Sequence, residues 1–117
     1  MDDIHYFSEQ RRRKAILKPI QIGVFQLDPR HNILTHSKTR TEIKLTDKEQ
    51  DILLYLYAQK NKRASREDLL NHVWNYVEGV ETHTLETHIY RLRQKIETNP
   101  TAPAFLVTEE DGYFLNI

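Results

Sequence analysis

The sequence predicts an α+β domain in which short strands come first, three helices follow, and a β-hairpin completes the fold. Three observations carry this prediction. Apolar residues alternate before residue 45, they recur at helical spacing between residues 47 and 97, and an Asp-Gly pair separates two apolar runs near residue 112. The 117 residues have the size of one domain, and such a chain buries enough surface to hold a core without disulfides.

The first part of this domain is predicted to be a small antiparallel sheet. Residues 20–27 alternate as a strand whose phase slips at Gly23-Val24, and a glycine inside such a run is typical of a bulge. Residues 32–36 form the return strand after a Pro-containing turn, and residues 39–45 alternate again. The residues alone therefore predict three short strands.

The middle of the chain is predicted to hold the three helices. Thr46 and Glu49 have the spacing of a capping box, which starts a helix over residues 47–59. A second helix of about ten residues follows, with Ser65 as its N-cap. The third helix is predicted over residues 83–97, where an Asn-Pro pair ends it.

The last part of the chain is predicted to be a hairpin, with strands at 104–108 and 113–117. Two helices with an intervening loop, followed by a hairpin, describe a winged helix-turn-helix. We therefore assign residues 20–117 to a winged-helix domain with an N-terminal antiparallel sheet, three helices and a C-terminal β-hairpin wing. Residues 1–19 are polar without a strand period, and we interpret them as a flexible tail or linker.

Composition narrows the class of protein. The chain has 17 basic and 17 acidic residues, but the signs are segregated along it, which is compatible with one basic and one acidic face. Absence of cysteine excludes disulfides and thiolate metal sites and suits a reducing cytoplasm. The longest apolar runs are too short for a membrane span, so we expect a cytoplasmic protein without membrane contact.

Catalytic and metal sites are not expected. His83 and His88 are five positions apart and point to different helix faces, so no metal or other cofactor is predicted. Ser65 is better explained as a helix cap than as a nucleophile, and no phosphate-binding loop is present. The chain is therefore predicted not to be an enzyme.

The third helix has the pattern of a DNA-reading element. Its apolar residues Leu85, Ile89, Leu92 and Ile96 form one stripe. The other faces carry donors and acceptors of varied length, and a helix of this kind fits the major groove. These polar residues are His83, Thr84, Thr87, His88, Tyr90, Arg91, Arg93, Gln94 and Lys95.

We expect Arg91 to read a base, because an arginine offers guanine two parallel donors. Thr87 is short enough to touch a thymine methyl group, and Gln94 has the donors and acceptor for adenine or a phosphate. The remaining long polar residues are predicted to contact phosphates, which position a domain without reading sequence. They are His83, Tyr90, Arg93 and Lys95.

From residue 22 to 117 the sequence resembles the C-terminal effector domain of OmpR/PhoB-type response regulators. The match consists of several ordered motifs over most of the chain. They are Leu45-Thr46-Asp47-Lys48-Glu49, Leu53-Leu54 with Leu56, Ser65-Arg66-Glu67-Asp68-Leu69-Leu70, Val73-Trp74, the run from Thr84 to Ile96, and Gly112-Tyr113-Phe114.

The resemblance implies a four-stranded N-terminal sheet, a recognition helix at 83–96 and a base-contacting role for Arg91. It adds Arg66, Thr108 and Tyr113 to the expected DNA-binding residues. It also implies transcription regulation within a two-component phosphorelay, double-stranded DNA as partner, and head-to-tail dimers on direct repeats. The loop between the second and third helices is implied to meet RNA polymerase, through Asn75, Tyr76, Glu78 and Glu81.

Two departures from the family pattern leave alternatives open. The wing carries Glu109-Glu110-Asp111 where relatives place an arginine, so the basic cluster at residues 11–14 becomes a candidate DNA-contacting arm. A winged-helix protein-interaction module with weak or no DNA binding is the second reading. The family's receiver domain would need about 120 further residues, so an excised domain and a short regulator are both expected possibilities.

Overall fold

A computed structural model describes residues 18–74 and 83–117 of the chain. Its strands are β1 Ile20–Ile22, β2 Phe25–Asp28, β3 Ile33–His36, β4 Glu42–Lys44, β5 Arg63–Ser65, β6 Leu106–Glu109 and β7 Gly112–Leu115. Its helices are α1 Asp47–Ala58, α2 Arg66–Trp74 and α3 His83–Ile96, with a 3-10 turn at Lys60–Lys62. The predicted α+β architecture is confirmed, while residues 1–17 of the expected tail lie outside the described residues.

The N-terminal sheet, β1 to β4, is antiparallel with its strands in chain order. The single strand predicted over residues 20–27 is wrong, because Ile22 pairs with Phe25 and a two-residue turn separates β1 from β2. Gly23 occupies that turn with a φ of 61°, a conformation that favours glycine. A phase slip at a glycine fits a tight hairpin as well as a bulge, which is why the alternation misled.

The wing sheet, β5 to β7, has the strand order β5-β7-β6. Here β5 pairs with β7 along the whole of its three-residue length, and the sequence had indicated no strand there. The turn of the hairpin is Glu110-Asp111, so Gly112 lies on β7 and not in the turn. A Cβ at Gly112 would lie 2.1 Å from the carbonyl oxygen of Ala64, so the close approach of β5 requires glycine.

The helices enclose one apolar core between the two sheets. The predicted capping box is present, since the Thr46 hydroxyl accepts from the Glu49 amide at 3.2 Å and the Glu49 carboxylate accepts from the Thr46 amide at 2.9 Å. The predicted N-cap of α2 is confirmed as well, because the Ser65 hydroxyl accepts from the Asp68 amide at 3.0 Å. These caps fix where α1 and α2 begin.

The core also fixes the rotation of α3. All four residues of its apolar stripe are buried, and each contributes about 1.5–3 kcal/mol by leaving water. The stripe packs with Leu53 and Leu56 of α1 and Leu69 of α2 in one cluster. Rotating α3 would expose this surface, so the opposite face is held towards solvent. Among residues 18–74 and 83–117, no helix combines the length and apolar character needed to cross a bilayer.

Candidate nucleic-acid interface

The outer face of α3 presents four exposed polar side chains, those of His83, Tyr90, Arg91 and Gln94. Tyr90 is 65% exposed, so its aromatic ring lies open to solvent together with its hydroxyl group. Thr87 lies among them, half-buried, with its hydroxyl donating to the His83 carbonyl oxygen at 3.2 Å. These five residues, which we call the outer face of α3, form a polar strip one helix wide.

Thr84 and His88 lie on the flank of α3 that faces α2. A ring nitrogen of His88 is 2.8 Å from the Thr84 carbonyl oxygen, and the ring meets Trp74 edge-on at 5.0 Å between centroids. Lys48 of α1 extends across the same indole and donates to the Val73 carbonyl oxygen at 2.9 Å. The His88 ring therefore packs α3 against the end of α2 and is only half-exposed.

Lys95 lies on the same flank, further along the helix. Its ammonium donates to the Glu49 carboxylate at 2.6 Å and to the Lys44 carbonyl oxygen at 2.9 Å. The Glu49 side chain is 2% exposed, so the pair is directed into the domain. This position favours an internal role for Lys95 over the phosphate contact that its type and spacing predicted.

Arg93 lies on the opposite flank and reaches the wing, defined as β6, β7 and the turn between them. Its Nε donates to the Leu106 carbonyl oxygen at 3.0 Å, and its Nη2 donates to the Thr108 hydroxyl at 2.8 Å. The guanidinium also stands 5.7 Å from the centre of the Tyr113 ring. Arg93 and Thr108, which were both predicted to contact DNA, are therefore hydrogen-bonded to each other.

Glu86 lies one helical turn before Tyr90, on the wing side of α3. It pairs with Arg66 of α2 at 2.5 Å, and this hydrogen bond lowers the pKa of Glu86 below its ordinary value. Burial raises the pKa of Tyr113, and the nearby negative charge of Glu86 adds to the effect. Tyr113 is only 5% exposed, so its position also favours packing over the predicted DNA contact.

The tip of the wing is acidic. Glu109 is neutralised by Arg63 of β5, with 2.5 Å between guanidinium and carboxylate. Glu110 and Asp111 are exposed, and the Asp111 carbonyl oxygen accepts from the Arg66 amide at 2.9 Å. The tip is thus tied to the start of α2 and carries two carboxylates at the surface.

The predicted site residues fall into two sets. The five residues of the outer face of α3 are brought together at the surface. The other seven predicted DNA-binding residues have partners inside the domain, and they are Arg66, Thr84, His88, Arg93, Lys95, Thr108 and Tyr113. The predicted polymerase-contact residues Asn75, Tyr76, Glu78 and Glu81 lie outside the described residues. Within residues 18–74 and 83–117, no three His, Asp or Glu side chains gather in a way that could hold a metal ion.

Sequence reasoning gave no role to Glu86. The available signal was an acid within a helix surface otherwise rich in neutral and basic groups, which calls for a cationic partner nearby. That partner, Arg66, comes from another helix, so spacing within α3 does not reveal it.

A family model and a curated relative both match this chain to transcriptional regulatory proteins. Residues 40–115 match the family model described as transcriptional regulatory protein, C terminal. The alkaline phosphatase synthesis transcriptional regulatory protein PhoP of Bacillus subtilis (strain 168) is 37% identical over 101 residues, which are 86% of this chain and 41% of PhoP. The chain thus spans less than half the length of that relative.

Solved structures agree in fold. The response regulator DrrB of Thermotoga maritima, an OmpR/PhoB homolog, matches with a TM-score of 0.71 at 27% identity, over 97% of this chain and 51% of DrrB. The DNA-binding domain of Klebsiella pneumoniae RstA, solved in complex with the RstA box, matches with a TM-score of 0.69 at 24% identity. That match covers 84% of this chain and 96% of the RstA domain.

Proposed function

The chain belongs to the OmpR/PhoB-type family of DNA-binding C-terminal domains of transcription regulators, and we propose that it reads an operator by placing α3 in the major groove. The single observation that carries this proposal is the outer face of α3, which the buried stripe holds towards solvent. A helix with a polar face of this width fits the major groove of B-DNA. The RstA domain, which shares the fold, was solved with its own DNA box.

Arg91 is the proposed base reader. Its side chain is exposed, and no described residue forms an ion pair or side-chain hydrogen bond with it. A free guanidinium can offer both donors to guanine O6 and N7, which discriminates by about 1–3 kcal/mol. Gln94 lies one turn further along the same face and Thr87 one turn before, so all three are proposed to face base edges.

Phosphate contacts are proposed to be few. His83 and Tyr90 remain at the surface as candidates, whereas the cations Arg66, Arg93 and Lys95 are held by internal acceptors. Each phosphate neutralised by a cation steepens the salt dependence of binding by about 0.9. We therefore expect a shallow salt dependence from α3, and the basic cluster at residues 11–14 is proposed as an arm that adds further contacts.

The wider context is proposed from the relatives. PhoP and DrrB are about twice as long as this chain or more, and DrrB is a response regulator. We propose that the domain serves a response regulator in the cytoplasm, without enzymatic activity of its own, and that two copies bind repeated half-sites. Contact with RNA polymerase through residues 75–81 is part of the same proposal.

A second candidate function, a winged-helix module that binds proteins, is favoured by one observation. The wing tip exposes Glu110 and Asp111, and phosphates repel carboxylates. Such a module would not retain duplex DNA even at low salt, and loss of Arg91 would leave its activity intact.

The test is selection from a randomised duplex pool followed by fluorescence anisotropy. The wild-type chain should enrich one motif, and Arg91→Ala should lose about 5- to 150-fold in affinity for it, the equivalent of one lost bidentate base contact. Arg30→Ala, at an exposed turn between β2 and β3, is the matched control and should bind like the wild type. Equal binding by wild type and Arg91→Ala would contradict the proposal.

A further inference from the structure

We propose that Glu86 and Arg93 are positioning residues that lock the wing onto α3 and so fix the wing relative to Arg91. This inference rests on the proposed function of α3 as the DNA-reading helix. Neither residue needs to touch DNA for this role, because their partners are internal. Both lie on the wing-side flank of α3, on either side of Tyr90 and Arg91 along the helix.

Arg93 forms the first half of the lock. Its planar guanidinium places two donors in a fixed fork, and both acceptors, Leu106 O and Thr108 Oγ1, belong to β6. Because β6 is an edge strand of the wing sheet, the Leu106 carbonyl oxygen is not needed for strand pairing and can accept from the fork together with the Thr108 hydroxyl. A lysine keeps the charge at this position but has no rigid fork, so it cannot reproduce both bonds at once.

Glu86 forms the second half. Its carboxylate accepts from the Arg66 Nε of α2. The Arg66 amide also donates to the Asp111 carbonyl oxygen at the tip of the wing. The Glu86 carboxylate on α3 is therefore linked directly to α2, and through the same arginine residue it is linked to the tip of the wing.

The consequence concerns specific binding. A wing that is already ordered against α3 does not have to be immobilised when the operator binds, and immobilisation costs affinity. Binding to any duplex depends mainly on neutralised phosphates, which an internal lock does not change. Loss of the lock should therefore lower specific affinity selectively.

The experiment compares Arg93→Lys, Thr108→Val and their double variant with Thr35→Val, which makes the same isosteric change on β3 of the N-terminal sheet. Arg93→Met, which removes the charge, is included to test for a phosphate contact. Anisotropy at several salt concentrations gives the affinity for the selected operator and for an unrelated duplex. Hydrogen exchange of the β6 and β7 amides without DNA reports directly on the wing. Arg91→Ala is carried along as the separate probe of α3.

Each single lock variant is expected to lose about three- to tenfold in operator affinity, as for one lost hydrogen bond, with unrelated-duplex affinity and salt slope unchanged. The double variant should bind the operator no more weakly than the single variant with the lower affinity, because both changes remove the same contact between Arg93 and Thr108. Exchange of the hairpin amides should accelerate in the same variants, while Thr35→Val and Arg91→Ala leave it unchanged.

Three results would overturn the inference. If Arg93→Met lowers the salt slope by about 0.9, Arg93 contacts a phosphate and is not an internal lock. If operator affinity is unchanged while hairpin exchange accelerates, the contacts are merely structural. A wild-type chain that selects no operator contradicts the proposed function instead. Even in that case, hairpin amides that exchange no faster in Arg93→Lys than in the wild type would rule out the lock.

Discussion

The ammonium group of Lys95 lies 2.6 Å from the carboxylate of Glu49, and this ion pair joins the last turn of α3 to the first turn of α1. The same carboxylate closes the capping box of α1 by accepting from the Thr46 amide. Because Glu49 is almost fully buried, the pair gives the carboxylate a partner that water cannot supply. The orientation of α3, the proposed DNA-reading helix, is thereby tied to the start of α1.

Lys95→Met should lower the free energy of unfolding by about 1–3 kcal/mol, because it leaves a buried carboxylate without its cation. The lower end allows for the partial exposure of the ammonium group, which solvent already screens. Urea denaturation measures the loss, and Lys38→Met at an exposed turn is the control. If Lys95→Met is as stable as the wild type and its DNA binding depends less steeply on salt, then Lys95 contacts a phosphate and the buried ion pair does not stabilise the domain.

Gly112→Ala should destabilise the domain by about 1–3 kcal/mol, the usual range for overpacking. The new methyl group would lie 2.1 Å from the Ala64 carbonyl oxygen, and β5 would have to move away from β7. Thermal unfolding measures the effect. Ala102→Gly, the reverse substitution at an exposed loop, is the control. An unchanged melting temperature would mean that β5 can shift without cost.

Removal of the tip acids, by Glu110→Gln with Asp111→Asn, should strengthen duplex binding. Both carboxylates are exposed on the wing, where phosphates would repel them. We expect a gain of about two- to fivefold at low salt that shrinks as salt rises, because added ions screen the repulsion. The control is Glu42→Gln on β4, which removes one exposed charge, and a gain there of half that size on a logarithmic scale would assign the effect to net charge alone.

Stability at low pH should depend on Glu86. Its hydrogen bond with Arg66 lowers its pKa below the ordinary 4.5, so its contribution is present above that pH and is lost as the pH falls through the lowered pKa. Glu86→Gln should therefore lose less stability than the wild type as the pH falls below 4.5, and solvent screening of the half-exposed pair keeps the difference small. Urea titrations at several pH values compare the two, and parallel curves would contradict the prediction.

The helices and their caps were predictable because their signals are local. Thr46 and Glu49 are three residues apart and satisfy each other, so the sequence contains the whole motif. The stripe of α3 repeats at the helical period, and every member of it is buried as expected. The residues that start and end such a helix lie within about one or two turns of its ends, so the sequence alone is enough to locate it.

The elements that were missed depend on distant partners. Strand β5 is three residues long and exists because β7 lies beside it, and nothing in Arg63-Ala64-Ser65 indicates that pairing. The sequence predicts Gly112 in the turn, whereas it lies on β7, where Ala64 across the sheet leaves no space for a Cβ. Short strands and close approaches of this kind become visible only when the chain is folded.

For the candidate site, the sequence identified which face of α3 points outward but not which cations remain free. Arg91 and Arg93 are two positions apart and chemically identical, yet only Arg93 meets acceptors on β6. A long side chain can reach several neighbours, and its choice depends on the positions of backbone carbonyl groups that composition does not reveal. Helix periodicity therefore predicts the surface of the site better than its charge.

The pairing of β5 with β7 has a consequence for synthesis of the protein on the ribosome. Ser65 meets Gly112 only after α2, α3 and β6 have all been translated, so β5 waits without a partner throughout that time. Leu69 and Leu85, which are buried in the finished core, emerge before the strand that completes the wing sheet. A pause in translation just before Gly112 would hold a nascent chain with exposed apolar surface, a state that is prone to aggregation and suited to chaperone binding.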